Sequence, residues 1–190
     1  QTGSDTVALP APRHTGDVSI EETLYKRRSI RAYAGTTLNL AELSQLLWAA
    51  QGISHERGLR TAPSGGATYP LEVYIVAGAV EGLAPGLYRY IPQNHSLNRE
   101  SVDDKRAALK DCTLKQNFVA DAPASLVFFA VNERITKKYG ERGVRYAYME
   151  AGHAAQNVYL QGVALGIDTV VVGAFTDDSV RSLISTKPGE

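Results

Sequence analysis

The sequence predicts one α+β domain built on a central, mostly antiparallel sheet flanked by helices. Three observations lead there. Apolar runs of strand length and helical patterns mix along the chain without strict βαβ alternation. A chain of 190 residues with 44% apolar content suits one compact core better than two small ones. No internal repeat or low-complexity tract breaks the order. The single cysteine, Cys112, rules out an internal disulfide and argues against a structural zinc site, so packing must hold the fold. Twenty basic and twenty acidic residues cancel, which gives a nucleic-acid or membrane partner no footing. No stretch approaches the ~18 apolar residues of a membrane span. Cytoplasm is the default compartment, and because the sequence opens at Gln1 rather than methionine an exported form stays open.

Residues 1–17, QTGSDTVALPAPRHTGD, combine proline, glycine and small polar residues without periodicity and read as an extended arm ahead of a single domain over 18–190. SIEETLYKRRS predicts a helix capped by Ser19, with Glu22 placed to reach back as a capping box and an end near Ser29. A second helix from Asn39 sets Leu43, Leu46, Leu47 and Ala50 on one face until Gly52 stops it. The apolar run over 71–80 predicts a strand, and LYRYI and SLNRE, joined by 92–95, predict a hairpin. Two short helices are expected within 103–121, followed by ASLVFFAVNE as a buried central strand. The pattern over 144–165 is helical, with Ala147, Ala151, Ala155, Val158 and Gly162 forming a small-residue face suited to a domain spine or a dimer contact. DTVVVGAF predicts a last strand, and Asp177 and Asp178 open a short last helix.

Chemistry can sit in three places. YKRRSIRAY gathers Arg27, Arg28 and Arg31 around Ser29; guanidinium forks and a hydroxyl suit a phosphate monoester, and a basic helix end complementing the dipole explains the same residues. In RTAPSGGATYP, Gly65 and Gly66 free the backbone to face a ligand, but the P-loop spacing is missing and no strand leads into GxGxxG; a phosphate cradle and an ordinary turn both remain open. KKYGERGVRYAYMEAGH sets Lys138 beside Tyr139 with Arg142 and Arg145 near, either a proton-transfer pair or a charged helix entrance. Glu150 and His153 have the E-x-x-H spacing of di-iron bundles, but there is no second copy; His153 is read as packed, and no metal site is expected. No G-x-S-x-G elbow or Cys/His spacing suggests a covalent nucleophile.

Taken in order, RRSIRAY, LSQLLWAAQGI, RTAPSGGATYPLEVYIV, KYGERGVRY, EAGHAAQNVYLQ and VVVGAF resemble the FMN-dependent nitroreductase family, and within it the SagB/ThcOx-type branch that includes the azoline (thiazoline and oxazoline) dehydrogenases. The resemblance runs from about Pro10 to Ile184. It implies a nitroreductase-like fold with FMN at a homodimer interface. Arg27, Arg28 and Ser29 would hold the flavin phosphate and ribityl chain, with Arg31 near the pyrimidine end or the phosphate. Pro63, Ser64 and Gly65 would form the partner-subunit side of the site, and Val172, Gly173 and Ala174 would approach the ring near N5. Lys138 and Tyr139 stand at the position of the catalytic pair of the azoline dehydrogenases. Family members usually continue into a terminal strand with a basic residue near the phosphate. This sequence stops at Glu190 after STKPGE, so either that segment is missing here or Arg27, Arg28 and Arg31 carry more of the phosphate.

The implied activity is hydride exchange between flavin N5 and small molecules, from NAD(P)H to nitroaromatic or quinone acceptors in ping-pong order. The alternatives are azoline oxidation of peptide substrates using Lys138 and Tyr139, and a flavin-binding protein without turnover.

Overall fold

The computed structural model describes residues 6–33 and 37–184; the first five residues of the expected arm and the final STKPGE lie outside the described residues. The described residues begin with a short strand, β1 (Thr6–Ala8), and continue through bends at His14, Asp17 and Val18 to the first helix, α1 (Ile20–Lys26). Ser19 caps α1 by accepting the Glu22 N–H at 3.1 Å. The Glu22 carboxylate does not close the capping box; it takes Lys26 one turn on, at 2.5 Å. The helix ends at Lys26, three residues before the expected Ser29, because Arg27 is already extended (φ −53°, ψ 123°) and Ile30 bonds the Thr169 carbonyl instead of the helix.

A two-residue strand, β2 (Leu38–Asn39), leads into α2 (Leu40–Gln51). Asn39 and Glu42 form a complete capping box at 2.9 Å in both directions, and Leu43, Leu46, Leu47 and Ala50 are all buried as their spacing predicts. Next come β3 (Leu71–Ala77), β4 (Val80–Glu81), β5 (Gly86–Ile91) and β6 (Ser96–Ser101), then α3 (Arg106–Cys112), α4 (Asn117–Asp121), β7 (Ala124–Ala130), α5 (Asn132–Tyr139), α6 (Arg142–Leu165) and α7 (Asp177–Ile184).

Five strands form one sheet in the order β1-β6-β5-β3-β7, with every neighbouring pair antiparallel; β2 and β4 make a separate parallel bridge. Both faces of the sheet are covered. Val73, Ile75 and Ala77 of β3 face a core with Leu43, Leu46 and Leu47 of α2, while Val76 faces a second core with Leu109, Val119, Val180 and Ile184 from α3, α4 and α7. Two apolar faces explain why β3 and β7 read as continuous apolar runs rather than alternating ones. The same composition carries no information about place in the sheet, and here the structure corrects the reading. The run expected to be a central strand forms β7, which among the described residues is an edge strand, and its seven residues are only half-buried.

Two further expectations change. DTVVVGAF forms no strand: residues 168–175 carry no regular secondary structure and are bonded to Ile30, to a side chain of α6 and to Gln116 rather than in a ladder. A separate helix, α5, precedes α6; its sequence NERITKKY is polar apart from Ile135, which is fully buried and anchors it.

The segment before α1 packs against β6 and α2. β1 pairs with β6, Ser44 donates to the Pro10 carbonyl at 2.6 Å, and the buried Gln45 clamps Arg13, accepting its N–H at 2.8 Å and donating to its carbonyl at 3.0 Å. Among the described residues, no helix is long and apolar enough to cross a membrane.

Candidate functional site

The end of α1 separates the clustered arginines. Arg28 folds back on its own helix and donates to the carbonyls of Tyr25 (2.9 Å) and Arg27 (2.7 Å), the helix-end role weighed for this cluster. Arg27 turns the other way and sets its guanidinium over the Tyr159 ring, 5.1 Å from the centroid. Arg31 lies over Phe118 at 5.9 Å. Ser29 is exposed, yet its hydroxyl lies 2.8 Å from the Tyr159 phenol oxygen. That same oxygen accepts the Val171 N–H at 2.8 Å, so one side chain of α6 joins the RRS segment to VVVGAF. In the latter segment, Val172 packs against the second core, Ala174 is exposed and accepts a bond from the Gln116 amide at 3.2 Å, and Gly173 is exposed. A Cβ at Gly173 would meet nothing within 4 Å, so nothing packed inside the described chain requires glycine there.

The loop 60–70 forms a second cluster. Ser64 accepts the Tyr69 N–H on its hydroxyl at 2.9 Å, and Gly65–Ala67 make a single tight turn with Gly66 left-handed at φ 61°. Lys138 and Tyr139, at the end of α5, close over this turn. Lys138 donates to the Gly66 carbonyl at 3.3 Å, and its ammonium lies 5.6 Å from the Tyr139 centroid. Tyr139 stands edge-on to Tyr146 of α6 at 5.2 Å. A Cβ at Gly66 would come within 2.5 Å of the Tyr139 hydroxyl and 2.6 Å of Lys138 Nζ, so this glycine is what lets the pair sit on the loop. Pro63 is exposed, and Gly65 packs between Ile135 and Tyr146.

Beneath the loop lies a group that the sequence reading weighed only as half of a metal motif. Glu150 is 1% exposed, and neither carboxylate oxygen makes a well-formed hydrogen bond, although the Ser64 hydroxyl and the Gln51 amide lie close enough to bond it weakly. Burial raises its pKa above the ordinary value, opposed by Ser64, Arg60, Gln51 and His153. Gln51, fully buried, accepts from Arg60 at 2.8 Å, and its amide nitrogen, the group that can reach Glu150, makes no well-formed bond. His153, expected to be packed, is exposed: on the small-residue face of α6 the buried member of the E-x-x-H pair is Glu150. No group of three His, Cys, Asp or Glu side chains capable of holding a metal ion occurs among the described residues.

The two clusters therefore sit at opposite ends of α6. Tyr146 marks one and Tyr159 the other, thirteen residues and about 20 Å apart along the helix. The signal that could have found Tyr159 is chemical: a phenol on the buried, otherwise small-residue face of a helix needs a polar partner.

The cationic and hydroxyl groups at the end of α1 suit a phosphate, and the open backbone at 173–174 suits a flat ring, so the residues present fit FMN. The nitroreductase family model matches residues 24–190. A candidate nitroreductase of Methanocaldococcus jannaschii, MJ1384, is 46% identical over 183 residues, covering 96% of this chain and 92% of that protein. A solved structure of a candidate nitroreductase from Ralstonia eutropha JMP134 superposes with a TM-score of 0.83 at 33% identity, covering 97% of this chain and 83% of that one. The microcin B17-processing protein McbC of Escherichia coli is 29% identical over 131 residues, covering 66% of this chain and 48% of McbC. Sequence order, fold and these matches agree: the chain belongs to the nitroreductase family, a family of FMN-binding oxidoreductases.

Proposed function

We propose that the chain is an FMN-dependent oxidoreductase that passes hydride from NAD(P)H to small nitroaromatic or quinone acceptors. The observation that carries this reading is the junction at Tyr159, which brings Arg27 and Ser29 beside the 171–174 backbone. FMN bound there supplies hydride exchange at N5. The chain's own residues bind and orient it. Arg27 and Ser29 hold the phosphate, Arg31 stands nearby, and Arg28 contributes charge while its forks stay on the helix end. Val172, Gly173 and Ala174 offer a backbone that a flat ring can approach closely.

The remaining predicted contacts, Pro63, Ser64 and Gly65, lie at the other end of α6. We place them on a second copy of the chain, so that each site takes one cluster from each subunit. Ile20, Leu24 and Tyr25 on α1 and Tyr148 and Met149 on α6 are exposed large apolar side chains, which supports a homodimer.

A second reading is favoured by one observation, the seating of Lys138 and Tyr139 together on the glycine turn. In azoline oxidation either side chain would take the ring proton while the ring carbon gives up hydride, with oxygen as the final electron acceptor. Steady-state assays separate the two. NAD(P)H turnover with menadione or a nitroarene supports the first reading, and aromatisation of a thiazoline peptide supports the second. Lys138→Ala and Tyr139→Phe that both leave thiazoline oxidation intact rule out the pair as its proton acceptor. Bound flavin without either turnover points to a flavin-binding protein.

A further inference from the structure

Tyr159 is 8% exposed, and its phenol oxygen has two partners among the described residues: the Val171 N–H at 2.8 Å and the Ser29 hydroxyl at 2.8 Å. A phenol has one proton to give, and an amide N–H can only donate. Val171 therefore fills the acceptor side of the phenol. The phenol proton of a buried tyrosine needs an acceptor of its own, and among the described residues the one bonded to it is Ser29 Oγ. The opposite assignment, in which Ser29 donates to Tyr159, leaves that buried proton without a partner. Once Ser29 Oγ accepts from Tyr159, its own O–H is free to point outward as a donor, and Ser29 is exposed. The Arg27 guanidinium over the Tyr159 ring places positive charge beside it.

We propose that Tyr159 is a positioning residue that fixes the direction of a donor chain, from the Val171 N–H through the Tyr159 hydroxyl to the Ser29 hydroxyl, and so aims Ser29 as a donor at the phosphate group of the cofactor. The proposal rests on the flavin reading above. Each bond in such a chain polarises the next, and the last one becomes charge-assisted when it ends on a phosphate oxygen. Tyr159 also ties the phosphate end of the site to the backbone segment assigned to the ring, since Val171 directly precedes Val172 and Ile30 bonds the Thr169 carbonyl at 3.0 Å.

The test compares FMN with riboflavin, which differ only by the phosphate, in equilibrium titrations of the whole chain and its Tyr159→Phe, Ser29→Ala and doubly substituted variants. Loss of the bond to Val171 bears on both ligands alike and cancels in the ratio of their affinities. The expected result is a fall in the FMN-to-riboflavin affinity ratio of about tenfold in Tyr159→Phe and a similar fall in Ser29→Ala. The double variant falls no further. Riboflavin binding by the variants shows that they fold. An unchanged ratio in Tyr159→Phe overturns the proposal, as does a double variant in which the two losses add. If the unsubstituted chain binds neither ligand, the flavin reading itself fails and takes this proposal with it.

Discussion

Replacing Glu150 by glutamine should stabilise the protein, and do so only where the carboxyl would otherwise ionise. Glu150 is 1% exposed with neither oxygen in a well-formed hydrogen bond, beside the buried Gln51 amide, whose nitrogen is also without one. A buried polar group left unpaired costs about 1 to 3 kcal/mol. Glutamine keeps an acceptor for Gln51 but brings a donor that also needs a partner, so the gain falls near the lower end, about 1 kcal/mol. For a chain of this size that is a rise in Tm of about 2 to 4 °C. The pH dependence has a definite sign. The folded-state pKa of Glu150 is raised by burial above its ordinary 4.5. The unfolded chain therefore ionises first as pH rises, and the stability contributed by the neutral carboxyl is complete below the ordinary value and lost as pH climbs through the raised one. Glutamine does not titrate. Urea melts at about pH 4 and about pH 8 should show the stability gap between variant and parent opening in favour of Glu150→Gln as pH rises. A gap that moves the other way, with the variant weaker at the higher pH, refutes the reasoning. It would mean that Glu150 is ionised and paired with Arg60, whose charge opposes the effect of burial.

Two further outcomes follow from the geometry. Gly66→Ala puts a side chain at φ 61° and a Cβ within 2.6 Å of Lys138 Nζ and 2.5 Å of the Tyr139 hydroxyl, so it should lower stability by about 1 to 2 kcal/mol while swinging the pair off the loop. It should depress whichever turnover the Lys138 and Tyr139 variants depress, and a thermal melt matching the parent would contradict this loop geometry. Gln45→Ala removes the two bonds that clamp Arg13 and a third to Gln161, which should cost about 1 to 3 kcal/mol and expose the arm to tryptic cleavage after Arg13. Equal resistance of variant and parent to trypsin would show that the arm is held by other contacts.

What could be read in advance divides along physical lines. The second helix was legible because capping, periodicity and termination all pointed to the same residues, Asn39, Glu42, the leucines and Gly52. The edge position of β7 was not, because an apolar run records that both faces are covered and says nothing of which strand lies alongside. VVVGAF read as a strand because β-branched residues favour extended backbone; a ladder also needs a neighbour, and among the described residues this segment finds side chains instead. Arg27 and Arg28 are indistinguishable in sequence, and only the exit of the chain from α1 sends one to Tyr159 and the other back to the helix carbonyls. Glu150 was hidden by its spacing to His153, which invited a metal reading of a residue whose distinction is burial.

The central claim is that the residues at the two ends of α6 serve FMN. Fluorescence titration of FMN with the purified chain tests it most directly. The account predicts saturable quenching at one flavin per chain, weakened by Arg27→Ala and by Ser29→Ala. A colourless protein that leaves FMN fluorescence unchanged on addition would contradict it.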